Sequence, residues 1–294
     1  MPRLRSMLGP VLILLCTVIW GAAFLAQKLG AAHFGPFAFT CLRNLLGGAF
    51  LFLFTLRDPR PRRRELAGGA VSGLALCGAM LAQQTGIEST SPGVSAFLTA
   101  NYVLLVPVFA WAAGRGRPGR AVGIAAVLAL AGTYLISVSP SAPALRLGRG
   151  ELWTLACAAL FAVQILAVDR FARDVDVIRF STVQLLAAAL FAAPFLALPS
   201  ECARLSGAGI VAGLPALLFA GVLSSGVAYT LQNLGQARTP PALAAIIMSM
   251  EAVFGAVFGW LGLGDAMSPR QLCGCALVLC AVAVAQFAAS PRTD

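Results

Sequence analysis

The chain predicts an all-α integral membrane protein of about ten transmembrane helices in two inverted-topology five-helix repeats. Three observations predict it: an apolar composition along the whole length, ten apolar runs long enough to cross a bilayer, and self-similarity at a fixed internal offset.

Of the 294 residues, 59% are hydrophobic and 11% charged, against about 45–50% and about 25% in soluble domains. Mean hydropathy is +0.87. A separate soluble domain is therefore not expected, and the lipid bilayer is the main solvent. The net charge of +10 lies mostly as Arg in short connectors between apolar runs. That is a topology signal and argues against a nucleic-acid partner. Seven of the eight Cys (Cys16, Cys41, Cys77, Cys157, Cys273, Cys275, Cys280) fall inside apolar runs, where Cys behaves as a small hydrophobe. Cys273-Gly-Cys275 lacks a second ligand pair, so no metal or cofactor is expected. His33, the only His, sits in a connector, which removes the usual general base for Ser or Cys nucleophiles.

A span needs about 20 apolar residues, and the runs fall near 8–28, 35–56, 67–87, 92–112, 119–138, 150–169, 178–198, 209–235, 240–261 and 270–288. The basic Met1-Pro-Arg-Leu-Arg-Ser start and the following apolar run have the shape of a signal peptide. With further spans next to it and no convincing cleavage site, the run reads as an uncleaved first span. One set of connectors and span ends collects Arg3, Arg5, Arg57, Arg60, Arg62, Arg63, Arg64, Arg115, Arg117, Arg120, Arg170, Arg173, Arg179, Arg238 and Arg292. The other holds only Lys28, Arg146, Arg149, Arg204 and Arg270, a ratio of roughly three to one that predicts both termini on the cytoplasmic side.

Sliding the chain on itself by roughly 149 positions superposes Gln83 to Trp111 on Gln232 to Trp260. Gln83/Gln232, Gly86/Gly235, Thr90/Thr239, Pro92/Pro241, Ala96/Ala245, Val108/Val257, Phe109/Phe258 and Trp111/Trp260 are identical pairs. The expected halves are 1–140 and 150–288, five spans each. An odd number makes the second half enter the membrane in the opposite sense. Inverted repeats of this kind place a solute site near the midplane and expose it alternately to the two sides. The pattern favours a transporter over an intramembrane enzyme or a passive scaffold.

Several segments also carry a family resemblance: Trp20-Gly-Ala-Ala-Phe24, Phe39 to Leu46 with Arg43, Thr90 to Trp111, Thr239 to Trp260, and Leu263-Gly264-Asp265. Together they resemble the EamA-like branch of the drug/metabolite transporter superfamily. The resemblance implies ten helices in two inverted halves around a central cavity lined mainly by the first four helices of each. It also implies transport, often outward, of amino acids, other small metabolites or drugs. Two positions depart from the family pattern. Ala252 stands where Pro usually follows the Glu, which removes an expected helix kink beside Glu251, and Asp265 stands where Glu is usual.

An ionisable side chain at bilayer depth costs about 2.5–3.5 kcal/mol or more, so it is expected to face the protein interior or a wet cavity. Glu251, near the middle of the ninth span, is a candidate proton carrier or packing carboxyl; Arg43 could hold a substrate carboxylate or pair with an internal acid or helix-end carbonyls. Its counterpart in the repeat is Gln184. Gln83 and Gln232 are candidate cavity amides, with Gln84 and Asn233 beside them more plausible as interhelical glue. Asn101 and Tyr102 lie mid-span, and Tyr102 occupies the repeat position of Glu251. Trp20, Phe24 and Tyr229 are candidate aromatic walls and Gln164 a further lining residue, whereas Trp153 at a span end fits an interface position better. Lys28 and Asp169, also at span ends, are expected to be solvated. Gly69-xxx-Gly73 and Gly255-xxx-Gly259 are expected to pack helices closely and do not imply an oligomer; Pro107 and Pro194 are candidate hinges.

The expected function is a secondary transporter or exporter of small metabolites, amino acids among them, in a bacterial cytoplasmic membrane, with protons as a candidate coupling ion. Multidrug efflux is the rival within transport. An intramembrane enzyme lacks support, since neither GxSxG nor HExxH occurs, and no Walker loop is present to bind ATP.

Overall fold

The computed structural model describes residues 2–90, 92–139, 148–204, 206–263 and 267–289. Ten helices among them are long and apolar enough to cross a membrane: α1 (Met7–Ala31), α2 (Pro36–Thr55), α3 (Arg63–Ser89), α4 (Gly93–Ala112), α5 (Arg120–Ser137), α6 (Arg149–Phe171), α7 (Val177–Ala197), α8 (Gly207–Gln236), α9 (Pro241–Leu261) and α10 (Pro269–Ala288). Most of the connector between the halves and Gly264-Asp265 of the family motif lie outside the described residues.

The helices pair as two inverted halves require. α3 packs on α6 as α1 packs on α8; α3 meets α7 as α8 meets α2; α1 meets α9 as α4 meets α6. The pairs α2 with α7 and α5 with α10 map onto themselves when the halves are exchanged. In lipid the hydrophobic effect does not hold helices together, so close backbone approach must do so. Gly69 and Gly73 of α3 face Val183 and the Gln184 backbone of α7, and a Cβ at Gly47 of α2 would lie 2.7 Å from the Gly221 carbonyl of α8. Gly259 has open space around it and packs nothing.

Four connectors gather on the Arg-rich side, called here the basic face: 56–62, 113–119, 172–176 and 237–240. There α3 starts at Arg63, earlier than its apolar run suggests, because Glu65 in its first turn accepts the Arg62 backbone N–H at 2.8 Å. Glu65 is fully buried and also accepts from Arg179 Nε (3.0 Å) and the Asp176 backbone N–H (3.1 Å) at the start of α7. On the opposite face the equivalent junction uses the same chemistry. Glu201, in the one-turn helix Pro199–Cys202 before α8, is buried and accepts the Ala38 N–H in the first turn of α2 at 2.9 Å. A carboxylate at a helix N-terminus satisfies an orphan donor and the positive end of the dipole. Asp169 departs from expectation: it is buried and ion-paired with Arg115 and Arg173 instead of being solvated.

Three helices are irregular at membrane depth. α4 breaks between Thr99 and Tyr102, and α9 breaks at Ser249, the repeat position of Ala100. The kink beside Glu251 therefore exists without the family's proline. Ala252 keeps its N–H and donates to the Ser249 carbonyl at 3.2 Å, while Ser249 Oγ donates to the Ile246 carbonyl at 2.6 Å. In α8, Phe219–Val227 is a π-helix four residues past Pro215. Such backbone is tolerated where it is buried in protein or lines a cavity, and π-segments cluster at functional sites. Pro107 is buried within α4, and Pro194 lies in the 3₁₀ turn Ala193–Ala197 that ends α7.

Candidate functional site

The irregular segments surround one central cavity, with about 570 Å³ of empty space including its mouth. Trp20, Arg43, Gln83, Tyr102, Gln164, Tyr229, Gln232 and Glu251 line it. Asn101 does not: its side chain turns back to donate to the Phe97 (3.3 Å) and Leu98 (2.9 Å) carbonyls freed by the α4 break. The Phe24 side chain lies outside the described residues. Trp153 is exposed at the start of α6, away from the cavity.

Arg43 is 4% exposed and no carboxylate pairs with it among the described residues. Its Nε donates to Ser225 Oγ (3.0 Å) and its Nη2 to Ser224 Oγ (2.9 Å), both hydroxyls of the π-helix, and its guanidinium lies 5.8 Å from the Phe39 ring centre. Neither an internal acid nor helix-end carbonyls hold it. Trp20 Nε1 donates to the Ser224 carbonyl at 3.2 Å, and its ring leans on Tyr229 with centroids 5.0 Å apart. The π-segment thus orients both the cation and an aromatic wall.

Tyr102 and the half-buried Glu251 also line the cavity. The amides of the two halves differ. Gln83 Nε2 reaches Thr99 Oγ1 at 3.4 Å and stays 8% exposed, as does Gln27. Gln164, Gln232 and Gln236, toward the basic face, interlock and are at most 1% exposed. Asn233 donates to Ser181 Oγ (2.9 Å) and Gln184 Oε1 (2.7 Å), tying α8 to α7 outside the cavity. Gln184 therefore presents no counterpart of Arg43 to the cavity.

Sequence reasoning missed Gln27, Met80, Thr99, Phe161, Ile165, Ser224 and Met248 as lining residues. Gln27 carried a signal: Phe24-Leu-Ala-Gln27 and Phe161-Ala-Val-Gln164 share a Phe-x-x-Gln spacing at the same place in α1 and α6. Thr99 and Met248 are repeat mates at the 149-residue offset. Ser224 could be found only from the π-helix.

Ten spans, two inverted halves and a polar central cavity define a multi-pass membrane transporter. The EamA-like transporter family profile matches residues 7–138 and again 148–286, and the chain belongs to that family. It is similar to an uncharacterized transporter of Archaeoglobus fulgidus (26% identity over 96% of this chain and 86% of the relative). It is also similar to the uncharacterized transporter YwfM of Bacillus subtilis (25%; 95% and 93%) and to the threonine/homoserine exporter RhtA of Escherichia coli K12 (28%; 92% and 89%). A solved crystal structure shares the fold with a TM-score of 0.81 at 21% identity, over 96% of this chain and 99% of that one. The protein is a membrane transporter of small metabolites and not an enzyme.

Proposed function

We propose that the protein is a secondary exporter of amino acids or closely related zwitterions, working by alternating access in a bacterial inner membrane with both termini cytoplasmic. The observation that carries this reading is a buried guanidinium, Arg43, and a carboxyl, Glu251, lining the same cavity without pairing with each other. An unpaired buried charge is costly. A zwitterion relieves both groups at once: its carboxylate lies on the Arg43 fork and its ammonium on Glu251. When the solute leaves, a proton takes the ammonium's place on Glu251, which couples flux to the pH gradient. Trp20, Tyr229 and Phe161 wall the space between. The name of RhtA supports amino acids as the class. So many polar groups lining one cavity favour a small polar solute over a bulky drug.

The test is efflux from proteoliposomes loaded with mixed amino acids, with and without a pH gradient, against protein-free vesicles. Selective loss of some amino acids that responds to the gradient is expected. Unselective loss, or no loss beyond that of protein-free vesicles, overturns the reading.

A further inference from the structure

The connector from α2 to α3 carries the densest charge in the chain. Arg57, Arg60, Arg62, Arg63 and Arg64 stand within residues 57–64, and all are exposed. The segment holds two acids, Asp58 and Glu65, and both bind one cation of the other half, Arg179 of α7, at 2.5 and 3.0 Å. Its carboxylates are thus spent elsewhere. Arg64 donates to the Arg170 carbonyl at 3.3 Å, which sets the exposed end of α6 beside the cluster. Arg57, Arg60 and Arg63 have no carboxylate partner among the described residues. The other connectors of the basic face use their charges internally. Arg115 and Arg173 pair with Asp169, Arg117 lies 5.6 Å from the Trp111 ring centre, and Arg238 donates to the Leu234 carbonyl at 2.7 Å.

The positive-inside rule asks only for a charge difference between the two faces. It does not account for unpaired guanidiniums crowded into one anchored connector. Asp58 and the Arg62 N–H fasten the two ends of the segment, and Pro59 and Pro61 fix the backbone on either side of Arg60. Little order is left to lose on binding. Arg63 and Arg64 occupy the first turn of α3, where the positive end of the helix dipole opposes a cation and favours an anion. Next to them along α2 and α3 lie apolar side chains: Leu53, Phe54, Leu56 and Leu66 are each more than half exposed. An occupant therefore needs an anionic head and an apolar tail. We propose that the α2–α3 connector is a binding site for an anionic phospholipid of the basic-face leaflet. Its phosphate lies among the unpaired guanidiniums, which match phosphate oxygens by paired N–H donors, and its acyl chains cover Leu53, Phe54 and Leu66. The site is independent of the solute in the central cavity.

The experiment titrates the purified protein in detergent with phosphatidylglycerol or phosphatidylcholine, read by native mass spectrometry and thermal shift. The wild type is expected to retain phosphatidylglycerol at least about tenfold more tightly, since each basic group near an anionic headgroup contributes about fivefold. Its Tm should rise with that lipid and not with inorganic phosphate. The Arg60→Gln, Arg63→Gln double variant should lose the preference. The Arg117→Gln, Arg120→Gln double variant, altered on another connector of the same face, should keep it. If the first variant does not fold, Arg57→Gln takes its place, since no ion pair involves that residue. Equal retention of the two lipids by the wild type, an unchanged preference in the α2–α3 variants, or equal losses in both double variants overturns the site. Displacement of the lipid by inorganic phosphate would mark a free-anion site and overturn it as well.

Discussion

Tyr102 and Glu251 hold the same position in the two halves, and both line the central cavity. Each sits just past a break in its helix, at Ala100-Asn101 in α4 and at Ser249 in α9. The inverted repeat thus brings two irregular helix centres face to face and gives them different chemistry: a neutral phenol on one side, an acid on the other.

Replacing Glu251 with Gln keeps the size and polarity of the side chain but removes the exchangeable proton. Flux through Glu251→Gln is expected to lose its dependence on the pH gradient while the protein stays folded by size-exclusion profile. A variant that responds to the gradient as the wild type does would exclude Glu251 as the coupling group.

Arg43 is held by hydroxyls of the π-helix, so its aim depends on Ser224 and Ser225. Hydrogen bonds to a charged group contribute about 1.5–3 kcal/mol. Arg43→Ala should raise KM for an amino acid by about 10- to 100-fold, and the Ser224→Ala, Ser225→Ala double variant by a smaller factor. Retained KM in Arg43→Ala would show that the solute carboxylate is bound elsewhere.

The sequence made the spans and the repeat legible because both are written in long apolar runs and in identical residues at a fixed offset. Arg43 and Glu251 were legible because charge at bilayer depth is rare. The Ser249 break was not, since the expected proline signal is absent and the same break occurs in α4 at Ala100 with no side-chain signal at all. The π-helix was not, because Pro215 and the Gly221, Gly226 pair are equally compatible with a kinked α-helix. Asp169 reads as a span-end charge, and nothing in the pattern singles out Glu65 or Glu201; their burial comes from partners up to 163 residues away, which no local pattern records.

Arg179 is 11% exposed and closes on Glu65, which is 0% exposed, with Asp58 at 2.5 Å as a second acid. Removing one partner of a buried pair costs about 3–5 kcal/mol because the other is stranded. Arg179→Ala should therefore lower Tm in detergent sharply, and so should Glu65→Gln, whose single amide oxygen can accept from only one of the two backbone donors while its NH2 faces the other. Equal Tm values for Arg179→Ala and the wild type would count against this clasp as a structural tie.

Gly132 and Gly274 bring α5 and α10 into backbone contact: a Cβ on either would lie 2.7 Å from the other's carbonyl oxygen. Backbone yields little, so Gly132→Ala should destabilise by about 1–3 kcal/mol. Neither residue lines the cavity, so KM should not change. A shift in KM at unchanged Tm would mean that the α5–α10 pair takes part in the transport motion instead of buttressing it.

Orientation can be read from one thiol. Cys202 is exposed on the connector between α7 and α8, on the face opposite the Arg-rich connectors. If those connectors are cytoplasmic, as the positive-inside rule requires, Cys202 faces the periplasm. A variant keeping only this Cys should react with a membrane-impermeant maleimide in intact spheroplasts. Labelling only after the membrane is opened would invert the topology and place the Arg-rich connectors outside.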